Sequence, residues 1–377
     1  MSDYRVDDPR EEIVLNMGPH HPSTHGVLRF VVYTDGEIMR KAVPDMGYLH
    51  RGMEKIAEQH TYPNYMPFTD RINYLEAMFT NQAWAMAAER LLGLEVPPRA
   101  EYLRTIACEL NRIANHCVTL GCISMDLGAY TPFVYLLRER EKINDLFEAL
   151  CGNRLTFNYM RIGGVAQDAP EGWLDDIRRF LDKFDKVMNE LPSLISGNEI
   201  LLQRMLGIAP TCAEDAVAYG LVGPNLRASG VDWDLRRDQP YSIYPEFEFD
   251  VPVGRGEERA VEGDCFYRWQ VREEEMRQSS RILRQAIDRV PSGEITCKVP
   301  RKIKPPAAEV YAAVEGARGE IGVYLVSDGS PNPYRAKWRS SSFSALSMIE
   351  YISPGLMIAD LVAVIATMDT IAPEMDR

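Results

Sequence analysis

Three of the chain's six histidines fall in one stretch, Gly18-Pro19-His20-His21-Pro22-Ser23-Thr24-His25-Gly26. An imidazole titrates near neutral pH, so a loop histidine can pass a proton, donate a hydrogen bond or bind a metal. A metal site needs further ligands at short spacing, and no H-E-x-x-H helix or Cys/His set accompanies these three. The nearest carboxylates, Glu12 and Asp35, lie too far along the chain on either side to share one motif. Proton donation or hydrogen bonding suits His25 better, while His20 and His21 read as structural histidines bonded to backbone. His50, His60 and His116 show no partner in sequence and read as packing or surface residues. Tyr74 follows Arg71 by about one helical turn and has the pattern of a core-edge phenol. Arg51 and Arg71 read as solvated or paired cations, and Asp126 as a capping or turn acid.

The elements that must position these residues follow from periodicity. Ile13-Val14-Leu15 leads into the histidine loop and Val27 to Tyr33 leads out of it. Asp35-Gly36 then gives a type I′ hairpin signal before a third extended run closed by Pro44-Asp45-Met46-Gly47. The loop is therefore the tip between two antiparallel strands, stiffened by Pro19 and Pro22. Helix-like sequence runs from Met53 to His60. A loop is expected around Pro63 and Pro67, then a helix capped by Thr69 or Asp70 and continuing toward Arg90, with Tyr74 on its first turns. Leu103, Ile106, Ala107, Leu110, Ile113, Ala114, Cys117 and Leu120 mark one face of a long amphipathic helix, with Asp126 just beyond it. Thr131-Pro132 opens the next helix, which ends at Gly152 and should pack antiparallel to its predecessor.

Further helices are expected at 171–190, 192–205 and 211–220, a long ordered loop at 226–256, and another long helix at 262–290. The run Arg272-Glu273-Glu274-Glu275 in that last helix reads as its solvated face. Tyr311 to Val314, Ile321 to Val326 and Tyr334 to Trp338 read as strands, and Leu356 to Met368 as a buried helix too short to span a bilayer. The fold class is α+β: an N-terminal antiparallel sheet (1–50), a central helical domain (51–300), and a C-terminal β element with a terminal helix (301–377).

Composition narrows the function. A net charge of −13 and a pI near 5.1 argue against a nucleic-acid binder and against direct docking on anionic lipid. The start MSDYRVDDPREE has no apolar signal region, and no apolar run reaches the roughly eighteen residues of a spanning helix, so the chain is expected to face the cytosol. Seven cysteines without a CxxC pair suggest reduced thiols and no metal or cluster site of the chain's own.

Above these readings stands a resemblance. GPHHPSTHGVLR, GYLHRGMEKIAE, DRINYLEAMF, MDLGAYTPF, NYMRIGGV, LRASGVDWDLR, FDVPVG, EGARGEIGVYLVSDG and the closing MDR occur in this order from about residue 12 to the C-terminus. Together they resemble the family of the 49-kDa, or D, subunit of respiratory complex I, the proton-translocating NADH:quinone oxidoreductase. The family is itself similar to nickel-iron hydrogenase large subunits. The resemblance implies that the chain and a small iron-sulfur (B) subunit together form the cavity where quinone is reduced. His25 and Tyr74 would hold the quinone head group, Asp126 would partner His25, and Arg51 and Arg71 would lie near the 4Fe-4S cluster held by that neighbour. Quinone is then a substrate, and nothing is bound covalently. The other implied partners are the C, I and membrane-arm H subunits, on the cytoplasmic side of a bacterial membrane.

Two departures qualify the resemblance. Where hydrogenases carry nickel-ligating cysteines, this chain has Asn73 and Glu76, and the second cysteine pair is missing around Asp369, which leaves the old metal cavity for a quinone. Many family members have a histidine just before the NYxRIGG motif, and Thr156 stands there instead, which puts any pH dependence of the cluster potential in doubt. Three other readings remain: the same role in a ferredoxin-dependent, plastoquinone-type complex, a purely scaffolding subunit, and a hydrogenase large subunit.

Overall fold

The computed structural model describes residues 13–19, 26–196 and 198–377. Its α+β architecture follows the chain in order: an antiparallel sheet, a helical middle, a second antiparallel sheet and closing helices. β1 (Ile13–Met17), β2 (Arg29–Asp35) and β3 (Ile38–Asp45) pair in that order. Alternation along β2 buries Phe30, Val32 and Thr34 and leaves Arg29, Val31 and Tyr33 half-buried. The β2–β3 turn falls one residue later than the Asp-Gly signal suggests, because Asp35 pairs with Ile38 and Gly36-Glu37 form the loop. Of these two only Gly36 has positive φ, at 59°, which is the II′ pattern and not I′.

α1 (Met53–Gln59) forms as expected, but the segment around Pro63 and Pro67 is a helix, α2 (Tyr62–Thr69), and not a loop. Pro63 sits in its first turn, where no N–H partner is needed; Tyr62, Tyr65 and Met66 are buried, with Tyr62 and Tyr65 against the Trp84 ring and Tyr65 also against Phe68. α3 (Ala77–Leu92) starts later than expected, so Arg71 and Tyr74 lie in a turn between helices, not on one. Thr69 and Asp70 do not cap it. Their side chains instead accept from Asn81 Nδ2 at 2.7 and 2.8 Å.

α4 (Pro98–Asp126) takes in Asp126 as its last residue, and α5 (Tyr130–Cys151) ends at Gly152, whose φ of 76° stops the helix. The two pack closely enough that a Cβ on Gly121 would come within 3.3 Å of the Phe133 ring. α6 (Trp173–Ser196) continues through Pro192, where sequence suggested a break, followed by α7 (Glu199–Gln203) and α8 (Ala213–Ala218). The expected loop at 226–256 contains the end of α9 (Gly223–Ala228), then α10 (Leu235–Asp238) and one 3-10 turn.

α11 (Cys265–Arg289) overturns the reading of its charged run. Arg272 and Glu275 are fully buried, while Glu273 and Glu274 are partly exposed. Positions 272, 275, 276 and 279 share one helical face, and that face meets the core. β6 (Ala308–Gly316), β7 (Gly319–Ser327) and β8 (Arg335–Arg339) form the second sheet, and α12 (Ser341–Ile352), α13 (Ile358–Met368) and α14 (Ala372–Asp376) follow. α12 had no counterpart among the expected elements, and Ser340 Oγ caps it by accepting from Phe343 N at 3.3 Å. One buried apolar cluster includes Phe30, Trp84, Leu110, Phe147, Trp269, Val323 and Leu361, so sheets and helices share a core.

Candidate functional site

The C-terminal segment after α13 is where distant parts of the chain meet. Asp369, at φ 54°, caps α13 and turns the chain toward α14. Its carboxylate accepts from Arg318 Nη2 at 2.8 Å and from Thr119 Oγ1 at 3.1 Å, and lies 3.6 Å from Arg272 Nε. Five residues on, Glu374 accepts from Asn73 Nδ2 at 2.9 Å and from Ser342 Oγ at 2.8 Å. The same Asn73 amide nitrogen donates to Glu76 at 2.7 Å, so one side chain ties two carboxylates. Asp376 closes the arrangement by accepting from the backbone N–H groups of Gly47 and Leu49 at 2.9 and 2.8 Å.

Asn73, Glu76 and Asp369 are thus drawn into one neighbourhood, and Arg318 stands between them. Its backbone N–H donates to Glu76 at 2.7 Å and its guanidinium reaches Asn115 and Asp369. Arg318 sits at the tip of the β6–β7 hairpin, where Gly316 pairs with Gly319. That tip is buried, which is unusual for a turn, because α9 closes over it. A Cβ on Gly223 would lie 2.4 Å from Gly319 Cα. Burial pushes the Glu76 carboxyl up to about 7, against the pull of Arg318. Among the described residues no group of three or more His, Cys, Asp and Glu is arranged to hold a metal ion.

The structure places the residues singled out by sequence as follows. His20, His21 and His25 lie outside the described residues. Gly26, next in the chain, is described: its φ is 138° and a Cβ there would meet Ala372 Cβ at 2.7 Å, so the loop's end abuts the start of α14. Tyr74 is half-buried and lines a small cleft with Asn111, Asn115, Arg140 and Phe157. Arg51 and Arg71, both exposed, are brought together: Arg51 Nη2 donates to the Arg71 carbonyl at 2.6 Å and to the Pro373 carbonyl at 3.3 Å. Arg71 Nη1 in turn donates to the Pro67 carbonyl at 2.5 Å. Asp126, partly buried, ends α4 one turn beyond Cys122. Burial pushes the Cys122 thiol up to about 11, aided by Asp126 and Asp369 and opposed by Arg318 and Arg140, so Asp126 belongs to the same charged neighbourhood.

The remaining histidines have structural partners. His50 Nδ1 lies 2.6 Å from the Asp376 carbonyl, and His60 Nδ1 lies 3.0 Å from the Ile56 carbonyl beside the Phe68 ring. His116 is fully buried with Nε2 2.8 Å from Glu275. Sequence reasoning missed Arg318 and Glu374 altogether. The available signal for Arg318 was an arginine set between glycines in a hairpin otherwise made of apolar strands.

Comparison with known proteins agrees with this architecture. Residues 126–306 and 297–377 match the family model described as respiratory-chain NADH dehydrogenase, 49 Kd subunit. The chain is 58% identical over 370 residues to a D subunit of the NADH-quinone oxidoreductase of Sorangium cellulosum (strain So ce56), covering 97% of this chain and 95% of that one. It is 58% identical over 373 residues to a D subunit of the same enzyme from Anaeromyxobacter sp. (strain K), covering 99% and 98%. The corresponding D subunit of Clostridium beijerinckii (strain ATCC 51743 / NCIMB 8052) is 47% identical over 367 residues, covering 97% and 98%. The chain belongs to the 49-kDa subunit family of the respiratory-chain NADH dehydrogenase, and is therefore a subunit of complex I.

Proposed function

We propose that this chain, with a neighbouring small iron-sulfur subunit, forms the site at which complex I reduces quinone to quinol. One observation carries the reading. Four segments far apart in sequence converge on residues 369–374: Gly26 on Ala372, Arg51 on Pro373, Asn73 on Glu374, and Arg318 on Asp369. These include the turn that bears Tyr74 and the residue that follows His25.

Quinone reduction takes two electrons and two protons, and negative charge develops on two carbonyl oxygens as it proceeds. Donors aimed at those oxygens stabilise the charge and supply the protons. In this reading the Tyr74 phenol and the His25 imidazole are the donors, and Asp126 is the counter-charge of His25. Arg51 and Arg71 carry guanidinium groups, and cationic charge beside the neighbour's 4Fe-4S cluster favours its reduced form. That cluster supplies the electrons, and this chain's residues hold the head group and the protons. Loss of the His25 proton would change the charge balance around Asp126, a trigger for proton movement toward the membrane arm.

The relatives' names speak for NADH as the electron source of their complexes. A nucleotide-binding flavin subunit that copurifies with this chain would assign the same source here, and its replacement by a ferredoxin-docking subunit would not. Among the described residues no helix is long and apolar enough to cross a membrane. We place the chain on the cytoplasmic side of the bacterial membrane, held there by the B, C, I and membrane-arm H subunits.

The decisive variant is Tyr74→Phe. It should leave assembly intact and lower quinone reduction by about a hundredfold, the usual scale for loss of a positioned acid. Full quinone reductase activity in the assembled variant would favour a scaffolding role.

A further inference from the structure

The cleft that Tyr74 lines holds one buried donor with nothing to bond. Of its other polar residues, Arg140, Arg154 and Asn144 each donate to Glu141. Asn111 is fully engaged, since its Nδ2 donates to the Leu75 carbonyl at 2.9 Å and its Oδ1 accepts from Met78 N at 3.2 Å. Asn115, one turn further along the same face of α4, differs. It is 1% exposed and lines the cleft, and its Nδ2 has no hydrogen-bond partner among the described residues. A buried amide N–H without an acceptor is destabilising, and folded proteins leave few of them unused.

Chemistry decides which end of that amide faces which way. Arg318 Nη1 donates to Asn115 at 2.7 Å, and a guanidinium has no acceptor, so the atom it meets is the amide oxygen. Arg318 is itself held by the Asp369 carboxylate at 2.8 Å and the Asp369 carbonyl at 3.0 Å. The Asn115 amide is therefore locked with its NH2 turned away from the Arg318–Asp369 cluster, on the side where the residue borders the Tyr74 cleft. Positive charge on its oxygen also polarises the amide and strengthens its N–H donors. The bond from Asn111 to Leu75 pins the turn that bears Tyr74 onto α4, which fixes the phenol's position relative to Asn115.

The free volume of the cleft is about 10 Å³, room for one water-sized atom and not for a ring. We infer that the cleft is the socket for one carbonyl oxygen of the quinone, and that Asn115 Nδ2 is a second donor to the oxygen that the Tyr74 phenol holds. The inference rests on the proposed quinone site and adds a residue to it. The quinone takes two electrons from the neighbour's cluster and two protons, from Tyr74 and His25, and Asn115 transfers neither. Its part is a hydrogen bond that strengthens as negative charge gathers on the oxygen. Two preorganised donors aimed at one oxygen are the arrangement that stabilises such an anion.

The test uses the assembled membrane complex and a soluble short-chain quinone. Asn115→Asp keeps an oxygen for Arg318 but puts an acceptor where the donor was. With rates normalised to assembled complex, kcat should fall on the order of a hundredfold while KM changes little, the pattern of an interaction made in the transition state. A merely structural role would reduce the amount of assembled complex and leave its kcat alone. If Asn115→Asp does not assemble, Asn115→Ala replaces it with the same expectation, because it adds no charge. The double variant with Tyr74→Phe tests the shared oxygen: its loss should fall well short of the product of the two single losses. Wild-type kcat in the assembled Asn115 variant would overturn the inference, and so would single losses that multiply in full. A fully active Tyr74→Phe would remove the quinone site itself, whereas an inactive Tyr74→Phe beside a normal Asn115 variant would remove the second donor alone.

Discussion

Arg318 and Asp369 form a 2.8 Å ion pair in which each side chain is only 3% exposed. The pair joins the tip of the second sheet to the cap of α13, and Asn115, Thr119 and Glu76 complete its shell. Removing one partner of such a pair leaves the other charge buried and alone. Arg318→Met should therefore destabilise the chain by about 3–5 kcal/mol, which would show as a lowered unfolding midpoint and a reduced yield of assembled complex. A midpoint equal to that of the wild type would mean that the pair is dispensable.

Gly26 is the described residue nearest to His25. Alanine there meets two obstacles, a φ of 138° that side chains rarely adopt and the Ala372 methyl at 2.7 Å. Gly26→Ala should slow quinone reduction several-fold by displacing the loop's end. Ala372→Gly in the same chain should restore part of the loss, because it removes the clash but not the backbone strain. A single variant with unchanged turnover would show that this packing does not position the loop.

Asp126→Asn tests the coupling step. It keeps the size of the side chain while removing its charge, so coupled quinone reduction and proton translocation should both fall. Translocation is read as acidification by sealed vesicles, and unchanged turnover and pumping would exclude the role given to this acid.

Asp70 provides a test by pH. Burial is the main influence and pushes its carboxyl from 3.8 to about 6, against the Asn158 N–H, Asn81, Arg71 and Arg161. A carboxyl raised in the folded state binds its proton more tightly there, so ionising it costs stability. As pH rises from about 4 to about 6 this group alone should cost the folded chain about 3 kcal/mol, a deficit that then stays constant. Asp70→Asn should lack that slope. Urea midpoints of both forms across this range would show it, and parallel curves would mean that burial does not dominate.

Much of the framework was legible in one dimension because it rests on local periodicity. The 3.6-residue spacing from Leu103 to Leu120 specifies α4, and the apolar runs from Ile321 to Val326 and around Val31 specify strands, since each pattern has only one way to bury its face. The shared motifs specify the family, because their order along the chain is itself information. Where local signals misled, the cause was tertiary. Proline in Tyr62–Thr69 looked like a loop until burial against Trp84 made the helix worthwhile.

Charge pairing was beyond the reach of pattern altogether. Arg272 and Glu275 look like a solvated face in sequence, because hydropathy sees four charges and not the Asp369, His116 and Arg227 that await two of them. The sequence by itself determined the long periodic helices, the strands and the family, and through the family's motifs it named the candidate reactive groups, all of which depend on neighbours along the chain. Only the tertiary structure decided that Asn73, Glu76, Arg318, Asp369 and Glu374 form one buried cluster. The physical reason is that a buried charge persists only beside its counter-charge, and those counter-charges come from distant segments, as with Arg318 and Glu76, 242 residues apart in the chain.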